Sequence, residues 1–283
     1  MANECASTIR DAGSDSAGDK VELRTLNATV QRWMLMGLPL FGVLFLVGIL
    51  MAGELPAPAP TSTVAEIARL HSDNLAVRQA GLLLFAMGYG PYACWCAVVC
   101  VWTKRLEGDA YPVLTYASVI LQAGVTALGI LIPMSWSVGT FRAATTSPEI
   151  TQAFHDLGWY LFLWVWPLPS IWAVMFGIAI LRDKNVPNLM PRWAGYILCW
   201  TPILFCPAGL LGHFKFGPFA INGIATFWAG AIGGAAVVFV VPTIIIFRAI
   251  RQEELKLKDD LTSLESNVNS PEEHASAISE PLR

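Results

Sequence analysis

The segment FHDLGWYLFLWVWPLPSIW, Phe154 to Trp172, decides how the chain is read. It opens on two adjacent titratable residues, His155 and Asp156, then runs without further charge through Trp159, Trp164, Trp166 and Trp172. Pro167 and Pro169 break it. In a helix, His155, Trp159, Phe162, Trp166 and Pro169 recur at steps of four, three, four and three, so they share one face. A proton-handling pair at the mouth of an apolar, aromatic, locally broken helix has the form of a site. The plainer account, tryptophans as interfacial anchors near a helix end, suits Trp159 best and the deeper Trp164, Trp166 and Trp172 least.

Outward from this segment the chain keeps the same character. Of 283 residues, 55% are hydrophobic and 14% charged, with a mean hydropathy of +0.54, whereas soluble domains carry roughly 25% charge. The expectation is an all-α membrane protein, a bundle of six transmembrane helices. The spans are placed at about 33–53, 80–102, 111–134, 157–181, 193–212 and 223–247. A run near 20 residues at 1.5 Å each crosses the roughly 30 Å hydrocarbon core. Residues 32–250 form this membrane domain; 1–31 and 251–283 read as disordered cytoplasmic tails rich in Ser and acidic residues. No cleavable signal peptide is expected. Between the first two spans, Thr63 and Glu66 have capping-box spacing ahead of a short amphipathic helix.

Charge sets the expected orientation. With both termini cytoplasmic, all but Arg69, Arg78, Arg142 and Lys215 of the 18 Lys and Arg lie inside, as the positive-inside rule requires. That topology gathers His71, His155 and His213 with Glu54, Glu66, Asp73, Glu149 and Asp156 on the opposite face. Glu54, His155, Asp156 and His213 stand directly at span ends and are the stronger site residues; for Glu66, Asp73 and Glu149 the plainer account is that any membrane protein carries polar residues at its ends. A net charge of -3 gives no sign of a nucleic-acid partner. No HxxxH, HxxE or clustered Cys/His spacing is present, so neither a metal nor another cofactor is expected. The six cysteines fall mostly in apolar spans and show no disulfide pattern. The spans hold almost no charge, which weighs against an ion pump or proton-coupled transporter.

Pro39, Pro91, Pro167, Pro169, Pro202, Pro207 and Pro242 interrupt five of the six spans. Broken helices free backbone groups that only protein or a cavity can satisfy. With Tyr89, Tyr92, Trp95, Trp200 and Trp228 added to the tryptophans above, the expectation is proline-broken helices around an aromatic cavity. Aromatic faces stabilise cations by about 2 kcal/mol or more when desolvated. Such a cavity with an acid at its mouth suits cyclisation of a prenyl chain.

At FHDLGWYLFLW (154–164), ILRDKN (180–185), PRWAGYILCW (191–200) and HFKFGPFAINGI (213–224) the chain resembles a widespread group of six-span membrane proteins common in actinobacteria. Its size, span number, aromatic content and sparse edge acids also resemble the integral-membrane terpene cyclases of fungal meroterpenoid pathways, particularly those acting on farnesylated phenolics as in ascochlorin-like compounds. That second resemblance implies acid-initiated cyclisation of a prenylated substrate taken from the lipid bilayer, without redox change, in secondary metabolism. No family residue carries over. From topology alone, Asp156 or Glu54 is the expected acid, His155 its partner, and His213 the terminal base. Trp159, Trp166, Tyr89 and Trp228 are the expected substrate-binding rings. The alternative is a transporter, flippase or exporter of a hydrophobic compound. The host membrane is expected to be the endoplasmic reticulum in a eukaryote or the plasma membrane in a bacterium, with the oligomeric state open.

Overall fold

The computed structural model describes residues 27–108, 111–184 and 188–269. In chain order the helices are α1 (Gly37–Met51), α2 (Val64–Ser72), α3 (Leu75–Glu107), α4 (Val113–Phe141), α5 (Pro148–Trp164), α6 (Pro167–Leu181) and α7 (Arg192–Phe205). A 3-10 turn (Cys206–Leu210), a π-helix (Ile224–Gly234) and α8 (Ala235–Asn269) follow. There is no strand among the described residues. Six helical stretches among them are long and apolar enough to cross a membrane: Asn27–Met51, Leu75–Glu107, Val113–Phe141, Pro148–Leu181, Arg192–Leu210 and Ile224–Ser263.

Most of these reach beyond the spans expected from hydropathy. α3 starts before Arg78 because that side chain is satisfied inside the protein rather than in water. α5 starts at Pro148, whose fixed φ and missing N–H suit a first helical position, with Glu149 favourably placed in the first turn. His155 and Asp156 thus lie mid-helix rather than at its mouth. The break expected at the prolines falls at Val165–Trp166, with Pro167 opening α6.

The chain divides into two compact units. In the larger, 33–246, α3 packs against α1 and α4, α4 against α5 and α6, α7 against α6 and the π-helix, and α2 against α5. Glycines set the closest approaches. A Cβ on Gly48 would lie 2.6 Å from the Gly81 carbonyl oxygen, and one on Gly81 equally close to that of Gly48. The α1–α3 crossing therefore admits no side chain at either position. α2 is capped as its spacing predicts: the Thr63 hydroxyl accepts from the Glu66 N–H, and the Thr63 N–H donates to Glu66 Oε2 at 2.7 Å.

In the other unit, residues 27–31 and 251–269 are helical, which corrects the expectation of disorder there. Glu254 and Lys258 stand at i,i+4 in a segment of strong helix formers, and Arg32 forms an ion pair with Glu254. The rest of both expected tails, 1–26 and 270–283, lies outside the described residues.

Candidate functional site

Four polar side chains from four segments meet inside the larger unit. Glu54 comes from the turn after α1, His71 from the last turn of α2, Arg78 from the first turns of α3, and His155 from the middle of α5. All are essentially buried. Arg78 is the hub. Its Nη2 donates to Glu54 Oε1, its Nη1 to the Ala52 carbonyl oxygen, and its Nε to Thr140 Oγ1 at 3.0 Å. The Nη2 atom is also 3.1 Å from His71 Nε2. The other carboxylate oxygen, Oε2, accepts from Trp159 Nε1 at 3.1 Å.

Donor counting fixes the tautomers. Thr140 has one hydroxyl proton, and it goes to the Trp136 carbonyl oxygen at 2.8 Å. Thr140 Oγ1 therefore accepts from Arg78 Nε and from His71 Nδ1, the latter at 2.9 Å. With its proton on Nδ1, His71 offers a lone pair at Nε2. That lone pair and Glu54 Oε1 both face His155 Nδ1, at 3.2 and 3.5 Å, so the Nδ1 of His155 carries a proton. The remaining nitrogen, His155 Nε2, has no hydrogen-bond partner among the described residues. It is a base when free and an acid when protonated, with a carboxylate behind it.

The surroundings hold Glu54 and His71 in definite states. Burial works to raise the Glu54 carboxyl, but the hydrogen bond and charge of His155, with Arg78 and His71, outweigh it and keep the group below the usual carboxylate range. Glu54 is an anion, not a carboxylic acid. Burial first, then the Arg78 guanidinium, pushes His71 down to about 3, so it stays neutral.

The donor atoms of Glu54, His71 and His155 lie within 4.8 Å of one another, a spacing that could hold a metal ion. Linear spacing rules do not detect this trio, because its members come from separate segments. Electrostatics speaks against such a use: the Arg78 guanidinium already faces Glu54 Oε1 and His71 Nε2, so an entering divalent ion meets a fixed cation at contact distance.

Along α5 the polar cluster runs into an apolar pocket of about 600 Å³. Phe41, Phe45, Tyr89, Tyr92, Phe162 and Trp166 contribute to its wall, and Pro169 borders it. The stripe His155, Trp159, Phe162, Trp166, Pro169 is thus one face, as the spacing predicts. Its first two members belong to the cluster and its last three to the pocket. Trp159 lies between, buried, with its ring centroid 5.8 Å from that of Phe162 and 5.4 Å from that of Trp136.

Not every expected site residue arrives here. Glu54, His155 and Trp159 do, although Trp159 acts through its N–H on a carboxylate rather than through its ring face. Tyr89 and Trp166 line the pocket. Asp156 is exposed and outside the cluster, because one residue of helix turns it about 100° from His155. His213 sits exposed in a turn, and Trp228 is 53% exposed and outside the pocket wall. Glu66 serves its capping box, and Asp73 forms an exposed i,i+4 pair with Arg69. Sequence reasoning missed Arg78 and Thr140. The signal for Arg78 was an arginine in the first turns of a long apolar helix, where a charge without a partner is costly.

Comparison with protein-family models, with curated proteins and with solved structures gave no match.

Proposed function

We propose that this protein is an intramembrane enzyme that binds a lipophilic prenylated molecule and closes a ring in it by proton-initiated chemistry. One observation carries the reading: a single stripe of α5 and α6 joins a buried acid–base cluster to an apolar, aromatic pocket. The pocket volume falls within the roughly 300–1,000 Å³ typical of small-molecule sites. In this reading the acid is His155 protonated at Nε2, with Glu54 as its counter-anion. Arg78 and the Trp159 N–H hold that anion in place, and neutral His71 faces His155 Nδ1 with its lone pair. His155 lies beyond the pocket wall, so in this reading the reacting end of the substrate reaches past Trp159 to take the proton at a terminal epoxide or alkene; the aromatic wall shelters the cation formed and an internal alkene captures it. Return of a proton from the cyclised cation to the now neutral His155 regenerates the acid, so the product is an isomer of the substrate. Both termini face the cytoplasm in this arrangement, and substrate enters from the bilayer.

Yeast microsomes containing the protein, fed farnesyl-phenol and its terminal epoxide, are expected to form a product of unchanged mass and shifted retention. His155→Asn is expected to abolish it. Absence of product from well-expressed protein, or full turnover by His155→Asn, refutes the catalytic reading.

A second reading gains from a specific observation. Buried ionisable groups within membrane helices mark transport pathways, and Arg78 with His155 supplies in the fold what the sequence lacked. The protein is then a transporter or exporter of a hydrophobic compound. Proton-dependent uptake by reconstituted vesicles, without chemical change of the compound, distinguishes it.

A further inference from the structure

The pocket wall carries no Asp, Glu, Lys, Arg or His. A charged ligand group inside it would be desolvated without a counter-charge, which costs far more than a lipophile gains by binding. The polar side-chain groups on the wall are few. Thr243 Oγ1 is used twice, donating to the Phe239 carbonyl oxygen at 2.7 Å and accepting from Trp95 Nε1 at 2.8 Å. The Tyr92 hydroxyl donates to Gln122 Oε1 at 2.9 Å. That leaves two donors without a protein partner among the described residues: the Tyr89 hydroxyl and Trp166 Nε1.

Tyr89 is the better placed. The residue is buried, its ring is held between those of Phe41 and Phe85 at centroid distances of 5.3 and 5.8 Å, and both Tyr89 and Gly129 line the pocket. The hydroxyl lies over Gly129, where a Cβ would stand only 2.5 Å from it. Glycine at 129 thus makes room for a phenol end that has nothing in the protein to bond. Tyr89 stands on the pocket wall, so a ligand atom that accepts the proton of its hydroxyl gains about 0.5–1.5 kcal/mol net.

We propose that the pocket binds an uncharged lipophile whose polar end is a hydrogen-bond-accepting oxygen, an ether, epoxide, carbonyl or hydroxyl, held by the Tyr89 hydroxyl. This rests on the small-molecule pocket of the proposed function but not on its chemical step. It excludes prenyl diphosphates and other anions as occupants.

The test is binding to the purified full-length protein in nanodiscs, by displacement of tritiated farnesol. Farnesol and farnesyl methyl ether, which only accepts, are expected to bind about 3- to 10-fold tighter than the saturated hydrocarbon farnesane, the range one net hydrogen bond supplies. Tyr89→Phe, which removes one oxygen that bonds nothing in the protein, is expected to erase that preference, so that farnesol, farnesyl methyl ether and farnesane bind equally. Farnesyl diphosphate is expected not to compete. Equal binding of farnesane and farnesol, a preference that survives Tyr89→Phe or disappears only in Trp166→Phe, or competition by the diphosphate overturns the assignment. Failure of every prenyl probe to bind overturns the pocket reading itself and this inference with it. Tyr89-dependent binding without any cyclised product sustains the inference while removing the catalytic step.

Discussion

Replacing Arg78 with methionine tests the cluster most sharply. Methionine keeps much of the stem's volume and removes the guanidinium, so packing is largely preserved while Glu54 loses its charge partner. Glu54 is fully buried. What remains to it is the Trp159 N–H at 3.1 Å and His155 Nδ1 at 3.5 Å. The Ala52 carbonyl oxygen and Thr140 Oγ1 each lose a donor too. Breaking a buried pair from one side costs about 3–5 kcal/mol, because an uncompensated charge is left inside. At roughly 2–4 °C per kcal/mol for a chain of this size, the melting temperature in detergent, followed by tryptophan fluorescence, is expected to fall by about 6–20 °C. Adding Glu54→Gln to Arg78→Met removes the stranded charge, so the double variant is expected to be more stable than the single one. Arg69→Met breaks the exposed Arg69–Asp73 pair, with side chains 82% and 58% exposed, and is expected to cost under about 1 kcal/mol. If Arg78→Met costs no more than Arg69→Met, or if Glu54→Gln deepens the loss, the buried charge balance does not hold this region together.

Stability is also expected to depend on pH through His71. Its folded-state value of about 3 lies below the 6.5 of the unfolded chain, so the unfolded state binds more protons between them. The contribution is therefore present above pH 6.5 and lost as pH falls, by about 2 kcal/mol between pH 7 and pH 5. Glu54, lowered from 4.5, loses its own contribution only below that value, outside this window. A His71→Gln variant is expected to show a flatter profile over pH 5–7; a wild-type protein that gains stability on acidification contradicts the assignment. Packing gives another test. A Cβ at Gly158 would lie 2.2 Å from Trp136 Nε1, the atom that donates to the His155 carbonyl oxygen at 3.1 Å. Gly158→Ala is expected to destabilise by about 1–3 kcal/mol, as overpacking does. Gly90→Ala, which meets nothing within 4 Å, is expected to be neutral or mildly stabilising; equal melting temperatures for the two refute the packing.

What could be read in the chain without coordinates follows from how far each signal reaches. Helix-scale signals are local, and they served well: apolar runs located six helices, Thr63 and Glu66 located a cap, and four-three spacing placed five residues from His155 to Pro169 on one stripe. The cluster is not local. Glu54 and Trp159 are 105 residues apart, and His71 and His155 are 84 apart, so no spacing rule joins them. Topology could say that such groups share a face, not which ones touch. Counting charge yields only a side: Arg78 reads as one of four basic residues on the far face, and its position in the first turns of an apolar helix further calls for a buried acid nearby, which Glu54 supplies. The aromatics show a similar limit. Tryptophan abundance drew attention to Trp164, Trp200 and Trp228, which face outward, at 50%, 69% and 53% exposure. Phe41, Phe45 and Phe162 line the pocket, yet in sequence they look like any apolar residue of a span. A ring at a membrane boundary and a ring at a cavity wall satisfy the same hydropathy, and only packing separates them. The adjacent pair His155 and Asp156 makes the point within one helix. The two look like partners in sequence, yet the turn between them sends His155 inward to Glu54 and Asp156 outward, so the carboxylate that faces His155 comes from another segment altogether.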